Sequence, residues 1–331
     1  MRFSVIIPIF NRPEEIVELL DSLTMQSTKE SFEVIIVEDG SQITCEKEIQ
    51  HYYAELDLKY HTQINQGPGP ARNFGASHAL GDILIFFDSD CIIPTNYFEK
   101  VNNYLTINPL DCFGGPDRAH SFFTPIQKAI SYSMTSPITT GGIRGGKKQM
   151  DKFYPRSFNL GIKREHFERL KGFADMRFGE DLDFSMRAVE SGIKVGLIPE
   201  AFVYHKRRTR FKAFFKQVFN SGVARIELSI KHPGTLKLIH LLPSLFTIGY
   251  PLLLVMAIYI WPWFWVPFAG FMVLIFVDAF IRMKDFKVAW LSIWASLFQL
   301  IGYGAGFLKA VWIRKILKKG TFQSFEKTFY D

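Results

Sequence analysis

Ile83-Leu84-Ile85-Phe86-Phe87-Asp88-Ser89-Asp90 is an unbroken apolar run that ends in two carboxylates. Five such residues in a row predict a strand buried on both faces, as in a parallel sheet covered by helices. The charge begins where the strand leaves the core. Outward from this run the same pattern repeats. Phe3–Ile9 is apolar, and Pro13-Glu14-Glu15 then opens an amphipathic helix over Ile16–Leu23, with acids at its positive end. Phe32–Val37 predicts a second buried strand, ending in Glu38-Asp39-Gly40-Ser41. A helix is expected near Cys45–Leu56 and a weaker strand over Lys59–His61. Gly67-Pro68-Gly69-Pro70 reads as a loop, a helix as running from Ala71 to Ala79, and another from Asn96 to Tyr104. Strands alternating with helices predict an α/β domain with a mostly parallel sheet. Ligands of such sheets bind beyond the carboxyl ends of the strands. Glu38/Asp39 and Asp88/Asp90 are therefore expected beside each other on one sheet edge.

The 331-residue chain is 48% hydrophobic and 21% charged, which suits a globular core and excludes a disordered one. Its three cysteines, Cys45, Cys91 and Cys112, are too few and too widely spaced for a disulfide framework or a zinc motif, and read as reduced thiols. Met1-Arg2 runs straight into the first apolar strand, so no signal peptide is expected and the N-terminal domain should stay in the cytoplasm. The net charge of +7 is concentrated in two places. Lys206, Arg207, Arg208, Arg210, Lys212 and Lys216 form one cluster, and Arg314, Lys315, Lys318 and Lys319 the other. Both flank apolar segments, which points to an anionic membrane surface rather than nucleic acid.

Phe211–Ile230 mixes aromatics and cations at helical spacing and predicts an interfacial amphipathic helix. Leu238–Ile260 and Val266–Ile281 are each long enough to cross a bilayer, with Trp261–Trp265 as an aromatic turn at headgroup level. Arg282, Lys284 and Lys287 place the next loop on the cytoplasmic side. Val288–Ile313 is a third apolar segment that either spans or is re-entrant. The expected organisation is a catalytic domain over 1–206, a basic interfacial region over 207–235, a membrane region over 236–313 and a basic tail over 314–331. That organisation describes a multi-pass protein of the cytoplasmic membrane.

Several clusters carry chemistry. Asp88-Ser89-Asp90 can share a hard divalent cation, Mn²⁺ or Mg²⁺, able to neutralise a departing diphosphate; alone, Asp-x-Asp is common on surfaces. Asp39 at a strand end can accept from a nucleobase or ribose, although Asp-Gly also makes turns. Arg72, near a helix start, suits a nucleotide or a structural ion pair. Gly179-Glu180-Asp181-Leu182-Asp183 puts three acids at a helix start, where they favour the helix dipole; Asp181 could equally take a proton as a general base. His205, after an apolar strand-like stretch, is a candidate third metal ligand. Gly141–Lys148 is a glycine-rich basic loop without the Lys-Ser/Thr ending of a phosphate-binding loop, and reads as mobile, with a lid or phosphate contact as the alternative.

Taken in order, Val5-Ile6-Ile7-Pro8-Ile9-Phe10-Asn11-Arg12, Val37-Glu38-Asp39-Gly40-Ser41, Ala71-Arg72-Asn73, Asp88-Ser89-Asp90 and Gly179-Glu180-Asp181 resemble the family 2 glycosyltransferases of the GT-A fold, over roughly residues 2–206. The resemblance implies an inverting transfer from a nucleotide sugar, with a UDP sugar favoured. It places Pro8, Asn11, Arg12, Glu38, Asp39, Arg72, Asp88 and Ser89 around the donor. Asp90, Asp88 and His205 fall on the metal. Asp181, with Glu180, becomes the catalytic base, and Asn159 (in Arg156–Gly161) and Gly179 fall beside the sugar and acceptor. Lys171-Gly172-Phe173 is similar to the family's Gly-Gly-Phe motif but carries Lys in place of the first glycine. The stretch Phe214–Leu242 resembles exopolysaccharide-type members, of the succinoglycan biosynthesis kind, that build on a polyprenyl diphosphate carrier. A Gln-x-x-Arg-Trp motif of processive synthases is absent, so one sugar per encounter and a lipid-linked acceptor are expected. Two rivals are a sugar-1-phosphate nucleotidyltransferase, whose glycine-rich basic N-terminal signature Val5–Arg12 lacks, and a non-enzymatic membrane scaffold, against which the intact acids argue.

Overall fold

The computed structural model describes residues 2–28, 30–140, 153–176, 178–318 and 320. The glycine-rich stretch Gly141–Lys148 and the tail beyond 320 lie outside these residues. The described residues fall into two compact units: up to Arg118 together with 153–205, and 119–140 together with the residues from Lys206 onward.

The first unit is built on ten strands: β1 (Phe3–Ile9), β2 (Phe32–Asp39), β3 (Asp57–Gln63), β4 (Ile83–Phe87), β5 (Cys91–Ile92), β6 (Cys112–Gly114), β7 (Asp117–Arg118), β8 (Asn159–Lys163), β9 (Val195–Leu197) and β10 (Val203–His205). Seven form one sheet in the order β3-β2-β1-β4-β8-β6-β9, in which β8 alone runs against its neighbours. Helices α1 (Pro13–Thr24), α2 (Pro68–Ser77), α3 (Tyr97–Ile107), α6 (Arg164–Arg169) and α7 (Glu180–Glu190) belong to the same unit. Both sheet faces are covered. Val5 and Ile7 share one apolar cluster with Leu19 and Phe98, whereas Ile6 and Phe86 share the other with Phe173 and Phe184. Double coverage is why β4 reads as a continuous apolar run and why β1 and β2 are interrupted inside the sheet only by Ser4 and Glu33, which hydrogen-bond to each other.

Two local expectations are corrected. Cys45–Leu56 is not an α-helix; it forms turns and a single 3₁₀ turn over Gln50–Ala54. Its Cys45 N–H goes instead to the Glu38 carboxylate. Helix α2 begins at Pro68, not Ala71, because proline is tolerated in a first turn whose N–H groups have no helical partner. Elsewhere Lys171 itself takes the left-handed conformation at φ 57°, where the related motif carries glycine.

The second unit contains α4 (Pro125–Thr135), α5 (Pro137–Thr140), α8 (Phe211–Lys231), α9 (Leu242–Tyr259), α10 (Val266–Met283) and α11 (Phe286–Val311). Three of its segments, Leu238–Tyr259, Pro262–Met283 and Phe286–Ile316, are long and apolar enough to cross a membrane. Segment 119–140, inside the stretch assigned to the catalytic domain by sequence, packs with these helices. Ala129 and Ile130 share a cluster with Phe214, Val288 and Ala295.

Candidate active site

The acids meet at the carboxyl ends of β2 and β4. Asp39 is 1% exposed, and its side chain is fully engaged. Oδ1 accepts from Gln63 Nε2 at 2.7 Å and Gln66 N at 2.9 Å, and Oδ2 accepts from Gly67 N at 2.8 Å. The carboxylate thus ties β2 to the loop that starts α2. Glu38 is committed to the opposite loop: it accepts from Ser41 Oγ, from Cys45 N at 3.0 Å and from Tyr60 Oη at 3.3 Å. Asn11 completes that loop. Its backbone lies at φ 52°, a conformation Asn tolerates, and its Oδ1 accepts from Gln42 N and Ile43 N. Glu38 and Asn11 therefore shape the crevice with their polar atoms turned into protein.

Arg72 is the hub of the next layer. It is 3% exposed and donates through Nη2 to Asp88 Oδ1 at 2.6 Å and through Nη1 to Glu180 Oε1 at 3.0 Å. Gly179, at φ 83°, turns the chain into α7 and delivers Glu180 and Asp181 to the site from a remote part of the sequence. Arg156 Nε donates to Asp181 Oδ2 at 2.7 Å, and Leu182 N donates to Oδ1 at 2.8 Å. The two neighbouring acids are pushed apart. Burial, then the charge of Asp181, raises the Glu180 carboxyl to about 7. Burial would raise Asp181 too, but Arg156 and Arg72 outweigh it and hold that carboxyl below the usual range.

Asp90 stands apart from Asp88. A three-stranded sheet, β5-β10-β7, pairs His205 with Cys91 across antiparallel strands and so sets the imidazole beside Asp90. His205 Nε2 lies 3.1 Å from Asp90 Oδ1, and Arg12 Nη1 lies 3.5 Å from Asp90 Oδ2. The His205 ring stacks on Phe158 with centroids 4.8 Å apart. Among the described residues, Asp90, Cys91 and His205 are the group whose donor atoms all lie within 4.8 Å of one another. Asp88 does not belong to this group; its carboxylate faces Arg72. The Cys91 thiol is buried and donates to the Phe158 carbonyl at 3.5 Å. A carboxylate oxygen and an imidazole nitrogen remain, a donor set that fits Mn²⁺ or Mg²⁺ with positions to spare for phosphate oxygens.

Asn159 takes up a structural place. Its Oδ1 accepts from Tyr97 Oη at 2.6 Å and its Nδ2 donates to Ala201 O at 2.8 Å. Pro8 lies in β1 opposite Val37, and Ser89 is 5% exposed. Sequence reasoning placed Arg156 in the Arg156–Gly161 segment but not against Asp181, and it did not single out Gln63 or Tyr97. Each partners a residue 24 or more positions away, which no local pattern signals.

These features define an α/β enzyme scaffold with acids converging on one sheet edge, and the relatives agree with that class. The family described as glycosyl transferase family 2 matches residues 4–170. The chain belongs to this family. It is 31% identical over 193 residues to an uncharacterized glycosyltransferase of Haemophilus influenzae, covering 56% of this chain and 62% of the relative. To the uncharacterized glycosyltransferase EpsJ of Bacillus subtilis it is 29% identical over 213 residues, covering 61% of this chain and 60% of the relative. The match thus spans less than two thirds of either relative. Among solved structures, the mannosyltransferase PcManGT of Pyrobaculum calidifontis, in complex with GDP-Man and Mn²⁺, superposes with a TM-score of 0.65 at 17% identity, over 95% of this chain and 88% of that one. S. aureus TarS 1-349 in complex with UDP-GlcNAc gives 0.52 at 18% identity, over 95% and 92%. These likenesses establish the GT-A fold.

Proposed function

We propose that this protein transfers one sugar per encounter from a nucleoside-diphosphate sugar to a lipid-linked acceptor at the cytoplasmic membrane surface, with inversion at the anomeric carbon. The observation that carries this reading is the convergence of Asp88, Asp90, Arg72, Asp181 and His205 at the carboxyl ends of β2 and β4. A UDP sugar is the favoured donor. Asp39 and Arg72 recognise the base side of the donor, with the end of β1 at Pro8 and the end of β3 at Gln63 around it. Glu38 and Asn11 position that crevice, Asp88 serves the ribose, and Asp90 with His205 holds a divalent cation. When bound there, the cation supplies charge neutralisation for the diphosphate.

The acceptor hydroxyl oxygen forms the new bond to the anomeric carbon as the bond from that carbon to the diphosphate oxygen breaks. Asp181 receives the hydroxyl proton, and the nucleoside diphosphate leaves with the bonding electrons. Arg156 has to give up its hold on Asp181 for this transfer, since an ion-paired carboxylate is a poor proton acceptor. Arg12, beside Asp90, offers a second cation to the donor phosphates.

The direct test incubates purified full-length protein with nucleotide sugars and a polyprenyl diphosphate-linked acceptor and assigns the product linkage by NMR. A single added residue with inverted anomeric configuration is expected. Retention of configuration, or a polymer ladder, contradicts the reading.

A further inference from the structure

We propose that Arg156 is a latch on the proton acceptor, holding Asp181 out of use until the phosphate of an anionic acceptor draws the guanidinium away. The latch rests on the glycosyltransferase reading above, deepens it, and concerns only the first unit.

Both oxygens of Asp181 are engaged. Oδ2 accepts from Arg156 Nε at 2.7 Å, and Oδ1 accepts from Leu182 N at 2.8 Å. A carboxylate can accept further hydrogen bonds, but one paired with a guanidinium is a weak base. The pairing is built by α7 itself. Ser185 lies one turn after Asp181, on the same side of the helix, and donates to the Pro155 carbonyl at 2.6 Å. On the other side Asn159 N donates to the Arg156 carbonyl at 3.0 Å, and Asn159 is itself fixed through Tyr97 and Ala201. The backbone at Arg156 is thus anchored before and after the residue, and the side chain is the part left to move.

That side chain is 30% exposed, against 11% for Asp181. Among the described residues it makes its one hydrogen bond through Nε, and its Nη1 and Nη2 are not buried. Arg72 differs, with both of its Nη groups committed to carboxylates. A planar guanidinium with open Nη groups matches the oxygens of a phosphate, which it binds bidentately.

The position of Arg156 selects the acceptor as the source of that phosphate. β8 runs against β4, with Asn159 opposite Phe87, so Arg156 precedes β8 at the edge where the acids converge. In the proposed reaction the donor diphosphate falls to Arg12 and to the cation seat at Asp90 and His205. Arg156 is paired instead with the acid that must meet the acceptor hydroxyl. An anion able to reach it from there belongs to the accepting sugar itself, which is then the sugar attached to the lipid diphosphate.

The consequence is protection of the donor. Before an acceptor binds, water meets a latched Asp181 and no strong base. With the latch open, the water oxygen would form a bond to the anomeric carbon, Asp181 would take its proton, and the nucleoside diphosphate would leave with the bonding electrons. An anionic acceptor opens the latch as it fills the site. Asp181 then keeps the Leu182 N–H and the charge of nearby Arg72, which hold it as a carboxylate ready to accept a proton.

The test uses purified full-length protein and a donor that it turns over. Donor cleavage is followed without acceptor, with a monosaccharide linked to polyprenyl diphosphate, and with the same monosaccharide as an uncharged alkyl glycoside. Arg156→Met should raise hydrolysis without acceptor at least about tenfold, since a positioned base contributes about 10²–10⁴-fold. Donor KM should stay unchanged, and the preference for the diphosphate acceptor over the glycoside should shrink. Ser185→Ala keeps the guanidinium but frees its backbone anchor, and should raise hydrolysis in the same direction by less; it decides the matter if Arg156→Met fails to fold. Hydrolysis no faster in either variant, while the wild type still transfers sugar, overturns the latch and leaves the glycosyltransferase reading intact. A raised donor KM without faster hydrolysis assigns Arg156 to the donor and overturns the latch as well. A wild type that cleaves no donor with either acceptor overturns the reading on which the latch rests.

Discussion

Two halves of the candidate site handle charge differently. Around Arg72 the acids are tied to cations: Asp88, Glu180 and Asp181 share two guanidinium groups, with Arg72, Glu180 and Asp181 buried and Asp88 and Arg156 partly open to solvent. Around Asp90, oxygen and nitrogen donors converge from two short strands, and the cations nearby are an imidazole and a half-buried arginine. The first half is assembled by internal counterions, which hold Asp181, the acid proposed as proton acceptor, against Arg156. The second resembles a seat for an external cation. Chemistry that makes a nucleophile and releases a diphosphate needs both.

The sharpest way to break this contrast is Asp181→Asn. It removes the proton acceptor while keeping its size, and turnover should fall by about 10²–10⁴-fold with donor affinity little changed. Equal loss of donor affinity would make Asp181 a binding residue. Arg72→Met should come next, measured by chemical denaturation in detergent. It strips the buried carboxylates of their shared cation and should cost about 3–5 kcal/mol. A near-neutral result would mean the acids protonate or rearrange freely.

On the metal side, His205→Ala should weaken Mn²⁺ binding at least about tenfold in a direct EPR titration. Unchanged affinity would remove His205 from the ligand set. Glu180 sharpens the comparison through pH. Its folded-state value of about 7 lies above the unfolded value of 4.5, so its contribution to stability is complete below pH 4.5 and is lost as pH rises through 7. Stability of the wild type should decline across that window, and Glu180→Gln should flatten the decline. Persistence of the same slope in the variant would assign it elsewhere. Lys171→Gly has the smallest expected effect. Relief of the left-handed backbone offsets the gain in unfolded-chain entropy, leaving a change of about 1 kcal/mol or less.

The two halves also differ in how far the sequence discloses them. β1, β2 and β4 are buried on both faces, and their largely apolar runs made both the parallel sheet and the acids at its ends readable. β8 is five residues inserted against the grain between β4 and β6, and β10 is three residues; strands this short carry no period. The seating of His205 beside Asp90 depends on that β10–β5 pairing; the residues alone made His205 a candidate ligand, and the family resemblance supplied its position on the metal. Partners such as Arg156 for Asp181 and Gln63 for Asp39 are set by tertiary packing alone. In the second unit, hydropathy disclosed three apolar segments but not that half of the third is covered by protein, because a helix packed on other helices and a helix in lipid look alike in composition.

The most direct test of the central claim is release of nucleoside diphosphate by the purified full-length protein, with acceptor present, from a panel of nucleotide sugars with and without Mn²⁺ or Mg²⁺. Metal-dependent release from one donor, abolished in Asp90→Ala, is the predicted result. Release that proceeds equally with the metals chelated, or equally in the Asp90 variant, would contradict the account.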